Sequence, residues 1–522
     1  MLLIFLTGAV VLALEVMSSR IMTPYFGVSL YIWSSILSIT LTFLALGYWA
    51  GGWLTRRLPE VRHLAVYLLL PVASAASVLV AAAVFPALFP VLARFDLVFG
   101  SFVASVVLLA LPLISLSAMN PLLISLRAQG TRMGDAGAGQ VFFVSTVGSV
   151  AGVVVTAFLI IPNFTNFSAL LWLASALCAA SAGAALLAPA LAKPRKWQLV
   201  GSAAAVTALC LALLSQQERY LTALTRSADT DQRLSLLAEY TSVFGSVKVV
   251  ELSSAAERYP PIKVLLQEGI IQNRTTLENG SLSMYTYGLD ILARGFVPEA
   301  RRALVLGLGA GIVPRDMAAR GIEVTVVDIN PAMLRAATEQ FGFDAASVDM
   351  VLQDARTYVR GCTGGYDVVV VDLFQGDGTP DYLMTREFFG DLRRCLASRG
   401  ALVMNAFFDP DGRSANMRLL ATVHDAFPRL YLFHEADLNT FVVGLVGPPP
   451  ADIRFPVDNV PPVLRAMLNR ALAAGAPVTA TELLGYAPLS DQQNLFALLA
   501  AEAQMQRRRE IVRSLPARVL VN

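Results

Sequence analysis

Residues 303–330 read ALVLGLGAGIVPRDMAARGIEVTVVDIN. The first six residues are a short apolar run of the kind that forms a strand buried on both faces, and the run ends in glycines. IVPRDMAARG has the composition of a helix, and EVTVVDIN is a second strand closed by an acid. The pattern continues downstream. PAMLRAATEQFG is the next helix, with Pro331 at a favourable first-turn position. VDMVLQDA, YDVVVVDLF and GALVMNAF read as further strands. Strands alternating with helices predict a parallel, doubly wound α/β sheet over residues 293–450.

The glycines Gly307, Gly309 and Gly311 then acquire a reason. A tight strand-to-helix turn without side chains lets the backbone approach a ligand closely. Asp328 follows about twenty residues later, where an acid at a strand end can accept both ribose hydroxyls. The spacing is G-x-G-x-G, not the G-x-G-x-x-G of the dinucleotide fingerprint. Asp354 and Ala355 close a third strand, where an acid can meet an adenine amino group. Asp372 closes a fourth, at the edge where open sheets bind ligands. These features suit an S-adenosylmethionine-type nucleoside better than NAD and predict a Rossmann-like domain of the class I methyltransferase type.

Upstream the chain changes character. Residues 216–292 hold a linker and short β-like runs with turns, SVKVVEL and IKVLLQEGIIQN, which predict a small antiparallel lobe. Residues 1–215 carry long apolar runs. A spanning helix needs roughly 20 apolar residues, and seven segments qualify: 2–22, 31–54, 64–85, 98–118, 139–161, 168–188 and 197–215. The first lacks the basic n-region and small-residue cleavage site of a cleaved signal. Arg56, Arg57 and Arg62, then Arg127 and Arg132, then Lys193, Arg195 and Lys196 all fall on one side of such a bundle. Basic loops stay cytoplasmic, so the N-terminus is expected inside, and seven full crossings would put the second half outside. Supply of a cytosolic cofactor favours the opposite side, and the sequence leaves the two in conflict. Glu15 and Arg20 lie within the first span, either as a polar substrate or ion pocket or as structural groups. Gly47, Gly51, Gly148 and Gly152 predict close helix packing, and MNP at 119–121 predicts a helix break.

The chain is 522 residues long, 56% hydrophobic and 15% charged, with a net charge of +2. No basic stripe with interleaved aromatics is present, which argues against a nucleic-acid partner. Four cysteines form no C-x-x-C pair and three histidines are scattered, so neither a metal site nor a redox motif is expected. The tail, 451–522, is Pro-rich and then helical, expected to pack on the domain or on a second subunit, which leaves a homo-oligomer open.

With these residues in hand, 239–445 resembles the spermidine synthase (polyamine aminopropyltransferase) family. The whole chain, including LTGAVVLALEVMSSRIMTPYFG, is similar to its membrane-fused members. The resemblance implies decarboxylated S-adenosylmethionine as donor and an amine as acceptor. It implies a donor site at Gly307, Gly309, Gly311, Asp328, Asp354 and Ala355, with Gln272 in the small lobe. Glu268 would hold the ammonium of the transferred chain, and Asp372 would be the catalytic aspartate, holding and deprotonating the incoming amine. On the acceptor side it implies Tyr285, Tyr240 and Gln375. The chain departs from the family pattern at Ala310, where the loop normally has an acid. It departs again at Thr286 and Tyr287, at Phe244 and Gly245, and at Gln375, which replaces a second amine-binding aspartate. Loss of acids at Gln375 and Tyr287 leaves a poor pocket for a dication unless Asp377 or Asp381 substitutes, so an acceptor other than putrescine, soluble or membrane-associated, is expected. Two rivals stay open: a methyl or aminocarboxypropyl transfer from S-adenosylmethionine itself, and a membrane transporter or sensor with a degenerate nucleoside-binding domain.

Overall fold

The computed structural model describes residues 1–522 apart from 28–29, 129–136, 226–231, 255–257, 375–379, 407–412, 436–438, 516 and 522. It divides into two compact units, Met1–Asp229 with Arg508–Asn522, and Thr230–Arg507.

The first unit is helical. It comprises α1 (Leu2–Phe26), α2 (Leu30–Arg57), α3 (His63–Phe95), α4 (Leu97–Ser117), α5 (Met119–Ala128), α6 (Ala138–Val155), α7 (Ile161–Asn163), α8 (Asn166–Leu187), α9 (Lys193–Ser215) and α10 (Gln217–Thr225). Seven helical stretches among the described residues are long and apolar enough to cross a membrane. The G-x-x-x-G pair faces α1. Any side chain on Gly148 would strike the Phe5 carbonyl and one on Gly152 the Ala9 carbonyl. Ser149 Oγ donates to the Gly8 carbonyl at 3.0 Å, so the two backbones run nearly in contact, as small residues allow between apolar helices. Gly47 and Gly51 do the same against α4. The break at MNP falls between α4 and α5. Glu15 and Arg20 are both half-buried on α1.

The second unit begins with β1 (Gln232–Ser242), β2 (Gly245–Ser254), β3 (Ile262–Gln267) and β4 (Ile270–Thr276), an antiparallel sheet in that order. After α11 (Met284–Phe296) come β5 (Arg302–Leu306), α12 (Ile312–Ala318), β6 (Glu323–Asp328), α13 (Pro331–Gln340), β7 (Asp349–Leu352), α14 (Ala355–Arg360), β8 (Tyr366–Val371), α15 (Arg386–Cys395) and β9 (Leu396–Ala406). Next are α16 (Arg413–Ala426), β10 (Arg429–Phe433), β11 (Thr440–Leu445), α17 (Pro462–Ala473) and β12 (Gly475–Val478), then α18 (Phe496–Ser514), whose residues from Arg508 count with the first unit, as does α19 (Ala517–Leu520). The large sheet has the order β12-β10-β11-β9-β8-β5-β6-β7. Strands β9, β8, β5, β6 and β7 are parallel to one another, whereas β11, β10 and β12 are added antiparallel. Valines and leucines of β5 and β8 are buried in apolar layers on the two faces, which is why these strands read as unbroken apolar runs.

Two expectations about boundaries differ from the fold. The chain stays in the first unit beyond Ser215, because Leu221 of α10 is buried and α10 packs on α3 and α19. The tail is not purely helical. β12 pairs with β10, a strand of four residues with Pro477 in it, which only an edge position tolerates and which the sequence pattern hides. From Arg508 the tail rejoins the first unit.

Candidate active site

The order of strands places the site. From β5 the chain moves outward through β6 to β7, then returns to β8 on the other flank of β5. That reversal opens a crevice at the carboxyl ends of β5 and β8. Gly307 N donates to the Val327 carbonyl at 2.9 Å and Asp372 N to the Leu306 carbonyl at 2.9 Å, so the tips of β6, β5 and β8 are stitched side by side. Gly307 has φ of 96°. A side chain there would collide with the Asp372 carbonyl, so glycine is required by conformation and by space.

A cavity of about 300 Å³ lies over these tips. Of the residues expected at a site, Gly307, Gly309, Asp328, Asp354, Ala355, Asp372, Gln272 and Tyr285 line it. Three expected residues do not. Gly311 caps α12 and packs on the Phe343 ring, serving helix–strand packing. Glu268 is turned away: from the turn between β3 and β4 its Oε1 accepts from Ser246 N at the start of β2, at 2.7 Å, while its neighbour Gln267 reaches the cavity. Tyr240 points towards α13, donating to Glu339 Oε2 at 2.8 Å with Arg335 stacked on its ring. Gln375 lies outside the described residues.

The three acids are held differently. Asp328 accepts from Leu308 N at 2.9 Å and Asn330 N at 2.7 Å. Burial raises its pKa, and those two amides oppose the rise. Asp354 caps α14 by accepting from Thr357 N at 2.8 Å and takes a 2.7 Å bond from the Tyr382 hydroxyl. Burial pushes Asp354 up, but the donors from Tyr382, Thr357 and Arg356 outweigh it and hold the carboxyl below its ordinary value. For Asp372 burial pushes the pKa up to about 6, opposed by the Asn405 amide, whose Nδ2 donates to Oδ1 at 2.9 Å. Asn405 is oriented in turn by Asn439 Nδ2, 3.3 Å from its own Oδ1. Tyr285 is raised well above the ordinary phenol value by burial and then by the charge of Asp372. Its hydroxyl donates to the Gln272 carbonyl at 3.1 Å and accepts from Asn273 Nδ2 at 2.7 Å. Asn273 Oδ1 takes the amide of Ala310 at 3.0 Å.

The sequence reading missed Tyr382, Asn273, Asn405 and Gln267, and it took Phe244, which lines the cavity, only as a departure from the family pattern. Asn405 left a signal, a lone amide near the end of the apolar run ALVMNAF. Tyr382 left none, because its distance from Asp354 is set by a loop. No group of three or more potential metal ligands occurs among the described residues.

Residues 303–400 match the methyltransferase domain family. The chain is 37% identical over 118 residues to a polyamine aminopropyltransferase of Vibrio vulnificus, spanning 22% of this chain and 40% of that protein. It is 32% identical over 139 residues to an N-terminal histidine N-methyltransferase of Emericella nidulans, spanning 26% of this chain and 25% of that one. It thus spans less than half the length of either relative. Among solved structures it is similar to a probable spermidine synthase from Corynebacterium glutamicum, with a TM-score of 0.40 and 19% identity over 49% of this chain and 96% of that one. Residues 303–400 thus carry a methyltransferase-type domain, and the second unit is similar in sequence to polyamine aminopropyltransferases.

Proposed function

We propose that the chain is a membrane-bound aminopropyltransferase that uses decarboxylated S-adenosylmethionine as co-substrate. The observation that carries the reading is the convergence of Asp328, Asp354 and Asp372 with the Gly307–Gly309 turn on one cavity. Asp328 would take the ribose and Asp354 the adenine edge. Asp372, with an elevated pKa and an amide-fixed geometry, would hold the incoming amine and accept its proton. The amine lone pair forms the new N–C bond and the C–S bond breaks. Its electrons stay on sulfur as a neutral thioether, so the leaving group needs no acid. The proton passes to Asp372 and then to water. The protein's share of the acceleration is alignment of amine, carbon and sulfur.

The acceptor we propose is an amine with one cationic nitrogen on an apolar body, soluble or membrane-associated. Of the three acids that line the cavity among the described residues, Asp328 is engaged by backbone amides and Asp354 by Tyr382. That leaves Asp372 for the acceptor, beside Phe244, Leu373, Phe374 and Pro380. A dication would leave one ammonium without a partner among the described carboxylates. The decisive experiment incubates the detergent-solubilised chain with donor and either putrescine, a long-chain monoamine or a membrane extract, and follows the thioether product. Thioether release with the monoamine or the extract and little with putrescine is expected. Release with putrescine alone would defeat the acceptor reading, and no release with any amine would defeat the chemistry.

A second reading has an observation of its own. With Glu268 turned away, no described carboxylate marks the end of the cavity as a seat for the donor's ammonium, and one relative is named a histidine N-methyltransferase. Methyl transfer from S-adenosylmethionine would use the same acids. Running both donors in parallel separates the two readings.

A further inference from the structure

The first unit has two chemically different ends. At one end Arg127 reaches the Met1 sulfur and His63 Nδ1 meets Ser125 Oγ at 3.2 Å. Lys196 donates to the Leu186 carbonyl at 3.3 Å. This end therefore gathers the first residue of α1, the last turns of α2, α5 and α8, and the first turns of α3 and α9. With them come Arg56, Arg57, Arg62, Arg127 and the cluster Lys193, Arg195 and Lys196. At the other end Tyr25, Phe26, Phe85, Phe89, Phe167 and Tyr220 form one aromatic cluster. The connections there carry Arg94 beside Asp96 and little else that is basic.

The chain leaves at the aromatic end, since Tyr220 of α10, just past α9, bonds the Ala83 carbonyl. It returns to the same end: Arg508 Nη1 donates to the Pro24 carbonyl at 3.2 Å and Arg509 pairs with Asp96 at 3.3 Å. No described helix between departure and return is long and apolar enough to cross. We propose that the second unit faces the extracytoplasmic side of the membrane. Basic residues flanking short loops hold their end in the cytoplasm, whereas long domains translocate regardless of their charge. Arg508 and Arg509 come after such a domain and are engaged by Pro24 and Asp96, and Arg219 is adjacent to Glu218. An independent observation agrees. Cys362 and Cys395 of the second unit form a disulfide, with Cα atoms 5.3 Å apart, while Cys178 and Cys210 of the first unit are free. Disulfides persist in oxidising compartments and are rare in the cytosol. This assignment overrides the cofactor-supply argument for a cytoplasmic domain and does not depend on the reaction proposed above. Joined to that reaction, it requires a membrane step that delivers a nucleoside sulfonium to the outer side.

The test uses full-length chains carrying one added cysteine, V463C on the second unit or V61C at the basic end, positions 77% and 80% exposed. A membrane-impermeant maleimide is applied to spheroplasts before and after lysis, with the parent chain as background. V463C is expected to reach its full labelling before lysis, and V61C to be labelled only after it. Labelling of V463C only after lysis overturns the proposal. In the same cells Cys362 and Cys395 are expected to resist alkylation until reduced; free thiols there would remove the second line of support. Both readouts are independent of activity, so a chain that transfers nothing can still be oriented.

Discussion

The two sides of the cavity are built on different principles. On the side proposed for the nucleoside each group is fixed by the element that carries it. Gly307 continues β5, Asp328 ends β6 and is bonded to the two amides around it, and Asp354 caps the helix it starts. On the acceptor side Asp372 depends on Asn405 of β9, which depends on Asn439 before β11. The remaining wall comes from Phe244 of the small lobe and from Leu373 and Phe374 after β8. A site held by local backbone can be inherited as a motif. A site assembled from distant side chains can change its acceptor while leaving the fold intact.

Replacing Asp372 tests that division hardest. Asp372→Asn should lower kcat by about 100- to 10,000-fold, the span of positioned acid–base groups, while donor affinity measured by calorimetry stays close to that of the parent. A matching loss of donor affinity would merge the two sides into one. The same variant has a stability signature. With a folded-state pKa of about 6 against an ordinary 3.8, native Asp372 keeps a proton that the unfolded chain releases between those values. Stability therefore falls as pH rises through that window. Asp372→Asn should flatten this slope and raise Tm above pH 6.

Asp328→Asn should act in the complementary way. It exchanges one acceptor oxygen for an amide that faces the Leu308 or Asn330 N–H. Hydrogen bonds to charged groups are worth about 1.5–3 kcal/mol, so donor Kd should rise about ten- to hundredfold. At saturating donor, kcat should change far less. A loss confined to kcat would place Asp328 among the reacting atoms.

How much could be read in advance follows the same line. The parallel sheet was legible from alternating apolar runs and glycines, because the inner residues of β5 and β8, from Ala303 to Leu306 and from Val368 to Val371, are buried on both faces. Asp328, Asp354 and Asp372 were legible because strand ends are fixed by the runs that precede them. The direction of Glu268 was not. It sits at φ 50° in the turn between β3 and β4, where its carboxylate serves the Ser246 amide and the cavity is left to Gln267. Tyr240 lies off the cavity for a related reason: pairing opposite Val247 commits its ring to α13. Side-chain direction in a turn or an edge strand depends on partners that the local sequence does not contain.

The pH profile offers a finer cut. Asp354 is held below the ordinary carboxylate value, whereas Asp372 is pushed up to about 6. The rate should fall about tenfold per pH unit once the medium drops below about 6, with the Asp354 contact to the donor persisting. Asn405→Leu removes the donor that favours ionised Asp372. The acidic limb should move upward by about one pH unit, the size of a charged hydrogen bond on this scale. Asn405→Ser, able to donate, should restore part of the shift. A lower rate with an unmoved limb would make Asn405 a packing residue.

The smallest expected effect separates family likeness from local geometry. If Glu268 held the donor's ammonium, removing its charge would weaken donor binding about tenfold or more. In the structure the carboxylate accepts from Ser246 N, and a glutamine offers the same oxygen. Glu268→Gln should therefore leave the donor KM within about twofold and Tm almost unchanged. Glu268→Ala, which strands the buried amide of Ser246, should cost about 1–3 kcal/mol of stability with activity per folded molecule retained. A donor KM that rises in the glutamine variant, with Tm unmoved, would mean that the turn reverses when donor binds. The acceptor-side asymmetry would then have to be redrawn around a second carboxylate.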